Sequence, residues 1–234
     1  MNRLEHDFSY YVDRFKNNKP FTFARYGDGE WNAMFGKAGQ NCDGHKYFPK
    51  MGLELIKSLQ GYKYDNYIMG IQNLAIRQRE KEIEQMLVER NFTDIQWCDS
   101  DVMHRGSRSG NLKPLVNAMK DKNIVIVGPK YLKDLDIFKV HYFVEVPKVD
   151  CYMKKDDIKK ELINFNKYYI YHNHTPAIYS FSASMMAEIL LYELYPACSR
   201  HFMIDFGSLW DVFVGHNTRT YHKNMSKETI KNNA

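Results

Sequence analysis

Cysteine is scarce and scattered in this chain of 234 residues: Cys42, Cys98, Cys151 and Cys198 are its four, and no two stand in a Cys-x-x-Cys spacing. That excludes a disulfide-stapled scaffold and a cysteine zinc ribbon, and is the usage of reduced thiols. Long apolar runs are absent as well. The greasiest segment, around 185–195, is interrupted by Glu188 and Glu193, short of the ~20 apolar residues a spanning helix needs. No basic, apolar leader opens the sequence, so the expectation is a soluble, cytoplasmic protein, bacterial or phage-encoded, peripheral if it meets a membrane at all. Neither a repeat nor a low-complexity linker marks a boundary. This predicts one domain over residues 1–222 followed by a polar tail, 223–234, expected to fray.

Charge of one sign never accumulates in a long block: 33 Lys plus Arg against 28 Asp plus Glu leave +5, spread along the chain. Such a balance permits an acidic ligand, but lacks the clustered basic stripe of a nucleic-acid binder. Also missing are Gly-x-Gly-x-x-Gly and the Walker pattern, which disfavours a dinucleotide or P-loop site.

What is present is an alternation of short β-rich runs with helical stretches, the pattern of an α/β domain with a mainly parallel sheet. Strands are expected at 21–26, 66–71, 94–98, 123–128, 141–146, 168–172 and 201–206. Helices are expected at 3–16, 50–60, 76–91, 111–120, 154–165 and 182–195. Residues 123–128, Asn-Ile-Val-Ile-Val-Gly, read as a central strand buried on both faces. Open α/β sheets bind ligands at the carboxyl ends of their strands, so the polar residues there are the candidates.

The first strand candidate runs into Arg25-Tyr26-Gly27-Asp28-Gly29-Glu30. An Asp-x-Glu pair at a strand end can offer two hard oxygen ligands to one divalent cation, and Arg25 suits a phosphate. The same residues can equally be a turn with Asp28 capping the next helix, and both readings stand on this motif alone. At the last strand end, Asp205 could act as a base or orient a sugar hydroxyl, and Asp211 is a weaker candidate. Gly128 and Lys130, after the central strand, are candidates for close approach of a nucleotide, and Ser182, in a serine run with Ser180 and Ser184 before a helix, for cradling its phosphates. Arg105 and Arg108 read as a basic loop after Asp99-Ser100-Asp101, either solvated or placed over a diphosphate. In His172-Asn173-His174 no third ligand of matching spacing supports zinc, so His172 is read as a base or hydrogen-bonding group.

Two stretches together resemble a known family. Arg25-Tyr26-Gly27-Asp28-Gly29-Glu30 is similar to the Arg-aromatic-Gly-Asp-Gly-Glu signature of the GT-D-fold glycosyltransferases, formerly a domain of unknown function. The closing Ile204-Asp205-Phe206-Gly207-Ser208, with Trp210-Asp211 and Arg219-x-Tyr221 after it, looks like that family's terminal motif. The resemblance implies a Rossmann-like single domain, helices on both sides of its sheet, that uses a nucleotide-sugar donor, a UDP-sugar for preference, and Mn2+ or Mg2+. It carries metal binding onto Asp28 and Glu30. The sequence departs from the pattern at 172–176, where a small-residue turn is expected. The acceptor expected is a glycan, a glycoconjugate or, for a phage enzyme, a hydroxylated DNA base. A nucleotide-binding accessory protein without turnover and a metal-dependent phosphohydrolase are the alternatives.

Overall fold

In residues 124–128 the side chains divide by the two-residue period of a strand: Ile124 and Ile126 enter one apolar core, Val125 and Val127 the other. A strand buried on both faces needs helices on both sides, and the computed structural model of the protein supplies them. It describes residues 1–41, 44–172, 175–217 and 219–234. The strands are β1 (Asn2–Arg3), β2 (Thr22–Tyr26), β3 (Gly39–Gln40), β4 (Lys46–Tyr47), β5 (Tyr67–Ile71), β6 (Gln96–Asp99), β7 (Ile124–Gly128), β8 (Val140–Glu145), β9 (Ile178–Phe181) and β10 (Phe202–Asp205). The helices are α1 (Phe8–Lys16), α2 (Asp28–Met34), α3 (Pro49–Ser58), α4 (Asn73–Glu89), α5 (Val102–Arg108), α6 (Lys113–Met119), α7 (Lys155–His172), α8 (Met186–Cys198), α9 (Thr220–Lys223) and α10 (Lys227–Asn233).

Eight strands form one sheet in the order β1-β6-β5-β2-β10-β9-β7-β8, with every neighbouring pair parallel. The expected α/β domain with a parallel sheet is borne out. Helices α2, α3, α4, α7 and α8 contribute to the core on one face, and α1, α5 and α6 to the core on the other. The chain builds outward from β2 through β5 to β6, then resumes on the other side with β7. The reversal brings the carboxyl ends of β2, β5 and β10 side by side, the place where such sheets bind ligands.

Two expectations fail. Residues 168–172 are the last turn of α7, not a strand, because Ile158, Leu162 and Tyr169 extend one buried stripe at helical spacing. The strand is β9, entirely buried, between β7 and β10. The basic loop at 102–108 is the helix α5, anchored by Val102 and Met103. The polar segment 223–234 carries α10. Ser226 caps α10 by accepting from the Thr229 amide at 3.0 Å, and the buried Asn233 accepts from the Leu112 N–H at 2.8 Å while donating to the Ser107 carbonyl at 2.7 Å.

Candidate active site

Where β2 stops, Gly27 is extended and α2 begins at Asp28. The cap is not Asp28. The Gly27 N–H donates to Glu30 Oε2 at 2.8 Å, so Glu30 secures the first turn while its carboxyl faces the strand ends. A Cβ on Gly27 would stand 3.1 Å from that same oxygen, which is what the glycine accommodates. Asp28 is exposed at the mouth of a cavity of about 390 Å3 whose walls hold Arg25, Asp28, Glu30, Asp205 and Gly207 together. The first and last motifs of the sequence therefore meet.

Arg25, on the sheet floor, is fixed from three sides. Its Nε donates to the Ser100 carbonyl at 3.1 Å, and its terminal nitrogens lie 3.7 Å from Asp101 and 3.5 Å from Asp205. Gly207 has φ +52° and its missing Cβ leaves room for the guanidinium, 2.6 Å from where that carbon would be. The Asp99-Ser100-Asp101 run thus buttresses Arg25. Asp205 Oδ1 also accepts the Gly207 N–H at 2.8 Å.

A further acid, which the sequence showed only as an interruption in an apolar helix, completes the floor. Glu188, in the first turn of α8, is 1% exposed, and its carboxyl shares a hydrogen bond with that of Asp205. Met185 is the local reason for its placement: its sulfur would lie 3.4 Å from a Cβ on Gly29, so α8 and α2 start in close contact. Burial first, then the charges of Asp205 and Glu30, push the Glu188 carboxyl well above the usual carboxylate range. Burial followed by Asp205 and Asp28 raises Glu30 to about 7. Asp205 is raised too, burial outweighing the pull of Arg25.

The cations above the floor differ in part from those expected. Arg108 and Arg219 line the cavity, whereas Arg105 turns away into an ion pair with Asp99. His104 lines it as well, and burial, followed by Arg25 and Arg108, holds its pKa well below the ordinary value, so it is a neutral imidazole. Sequence reasoning missed His104, for which nothing local distinguishes it from a core histidine.

Other predicted residues lie elsewhere. Lys130 lines a separate groove with Lys133 and Glu145. Gly128 makes room for Leu132, whose side chain would approach a Cβ to 2.7 Å, and is not at the cavity wall. Ser182 lines a neighbouring cavity, and Ser180 is buried, accepting from the Trp210 indole at 2.9 Å. His172 ends α7, which leads into the amino end of β9, so it sits at the opposite end of the strands from Asp205. Asn173 and His174 lie outside the described residues.

Two solved structures share this architecture. One, described as a selenomethionine-substituted structure of domain of unknown function 1792, aligns with a TM-score of 0.63 and 14% identity, over 90% of this chain and 79% of that one. The second, described as domain of unknown function 1792 having a distinct glycosyltransferase fold, aligns with a TM-score of 0.59 and 13% identity, over the same 90% and 79%. The chain has this glycosyltransferase fold. No family model and no curated protein matches it. The fold expected from the two sequence motifs is therefore borne out, while activity within the 1792-type fold must be argued from the site. No helix of the described residues is long and apolar enough to cross a membrane.

Proposed function

We propose that the protein is a glycosyltransferase that moves a sugar from a nucleotide-diphosphate sugar, a UDP-sugar for preference, to an acceptor hydroxyl. The observation that carries this is the meeting of five acids, Asp28, Glu30, Asp101, Glu188 and Asp205, with Arg25, Arg108 and Arg219 around one cavity at the strand ends. Among the described residues no three His, Cys, Asp or Glu side chains already converge as a complete metal site. The donor set still fits Mn2+ or Mg2+, which takes hard oxygens and draws its remaining ligands from phosphate and water. The raised Glu30 carboxyl and the buried Glu188 carboxyl, crowded by Asp205 and Glu30, are the groups that a nearby positive charge would relieve. Asp28 and Glu30 would hold the cation, which when bound neutralises charge on a departing nucleoside diphosphate.

The chain's own groups supply the rest. Arg25, positioned by Ser100, Asp101 and Asp205, presents a fixed cation to phosphate oxygens. Asp205, made more basic by burial, takes the acceptor hydroxyl's proton. As it does so, the acceptor oxygen bonds to the anomeric carbon and the bond to the diphosphate breaks. A panel of nucleotide sugars with Mn2+ tests the proposal: turnover or donor hydrolysis should fall about 100-fold or more in Asp28→Ala and Glu30→Ala. An inert panel, with Asp28→Ala binding UDP and Mn2+ as tightly as wild type, overturns it. Inorganic phosphate released without sugar transfer would indicate a phosphohydrolase instead.

A further inference from the structure

Beside the acid-floored cavity lies a second one of about 330 Å3, and Ser184, Gly207, Ser208 and Arg219 are walls of both. The two differ in charge. Acids crowd the first, whereas the second holds, among the described residues, a single carboxylate, Asp211, which is 2% exposed and accepts the Tyr131 hydroxyl at 3.2 Å. Lys148 and Arg219 outnumber it, and His45 and His216 add two more nitrogen-bearing rings. Tyr131 stacks on His216 with centroids 4.0 Å apart and planes 25° apart, which gives one wall a flat face. In another wall the Ser182 hydroxyl is buried without a hydrogen-bond partner.

We propose that this second lobe is the acceptor subsite and that it takes a sugar carrying a phosphate ester. The inference rests on the glycosyltransferase reading of the adjoining cavity. A volume of 330 Å3 lies at the small end of ligand sites, about 300–1,000 Å3, and suits one sugar ring with one anionic substituent. A tetrahedral phosphate can meet Lys148, the Arg219 fork and the Ser182 hydroxyl with different oxygens, and the ring then lies on the Tyr131–His216 face. Because Gly207 and Ser208 separate the lobes, a hydroxyl of that sugar comes next to Asp205, the proposed base. The phosphate can belong to a free sugar phosphate or to a lipid-borne one.

Titration calorimetry with glucose 1-phosphate, the first cavity being filled with UDP and Mn2+, tests the assignment. The probe should bind wild type, and lose about tenfold or more in Lys148→Glu, the worth of one charged contact of about 1.4 kcal/mol. Lys148 is exposed, so the variant keeps the fold, and its UDP affinity in Mn2+ should stay within about twofold of wild type. His216→Ala should weaken the probe in the same direction. A dodecyl phosphodiester of glucose that binds more tightly than the free phosphate identifies a lipid-borne source, and equal or weaker binding a free one. The proposal is overturned if wild type does not bind the probe, or if both variants bind it as wild type does. If UDP fails to bind while glucose 1-phosphate binds through Lys148, the donor reading fails and the anion site stands.

Discussion

Glu188 is the residue on which the site's electrostatics turn. Its position in the first turn of α8 is favourable to a negative charge, since helix amides point towards it, yet burial and two neighbouring acids oppose ionisation more strongly. A carboxyl whose pKa is raised by folding keeps its proton in the native state after the unfolded chain has released its own. Stability is then full below the ordinary value of 4.5 and falls as pH rises; for Glu30 the fall ends near 7, and Glu188 contributes in the same direction. Glu188→Gln keeps the shape and removes the ionisation. In metal-free protein it should raise Tm at pH 8 by about 2–4 °C, the effect of roughly 1 kcal/mol in a domain of this size, with little change at pH 5. Scanning calorimetry at the two pH values checks this, and equal destabilisation at both would show that the carboxyl's shape, not its charge, matters. Asp28, Glu30, Arg25 and Asp205 were legible because they stand at strand ends in two compact motifs. Glu188 was not, because its direction depends on how α8 meets α2 through Met185 and Gly29, a contact between residues 156 positions apart.

Among elements, the strands with continuous apolar runs were legible to within about two residues, and those with competing patterns were not. Residues 168–171, Tyr-Tyr-Ile-Tyr, carry β-favouring side chains, but the stripe from Ile158 to Tyr169 keeps them on a helix and displaces His172 from the site. The case of α10 is the reverse: its composition is polar, and the hydrogen bonds that tie it to the rest of the fold run through one buried side chain. Asn233 satisfies the Leu112 amide and the Ser107 carbonyl, both at the junction of α5 and α6, and α5 carries His104 and Arg108 to the cavity. No local pattern announces such a bond, since it spans 121 and 126 residues. Asn233→Ala leaves two backbone groups unpaired at a cost of about 1–3 kcal/mol each where water cannot reach. Urea unfolding should therefore show a loss of roughly 2 kcal/mol or more with an unchanged m-value. A loss under about 0.5 kcal/mol would mean that α10 is peripheral to the fold.

At the scale of the molecule, one sheet serves two apolar cores, and each central strand contributes to both. β2 gives Phe23 to one and Ala24 and Tyr26 to the other, and β10 gives Phe202 and Ile204 to one and Met203 to the other. Neither core can lose its strands while the other keeps them, so the absence of a linker in the sequence has a structural counterpart. The tryptophans are placed to test this: Trp31 and Trp97 lie in the core formed with α2, α3, α4, α7 and α8, and Trp210 lies in the opposite one. Trp210→Phe leaves fluorescence that reports the first core alone, and Trp31→Phe with Trp97→Phe leaves fluorescence that reports the second. Each variant is unfolded in urea and its fluorescence midpoint compared with its own far-ultraviolet dichroism midpoint, so that a change in stability cancels. Both pairs should coincide, as expected of a single cooperative unit. A core that melts ahead of the dichroism signal in one variant would divide the molecule into two folding units, with the cavity at the ends of β2 and β10 lying where the two meet.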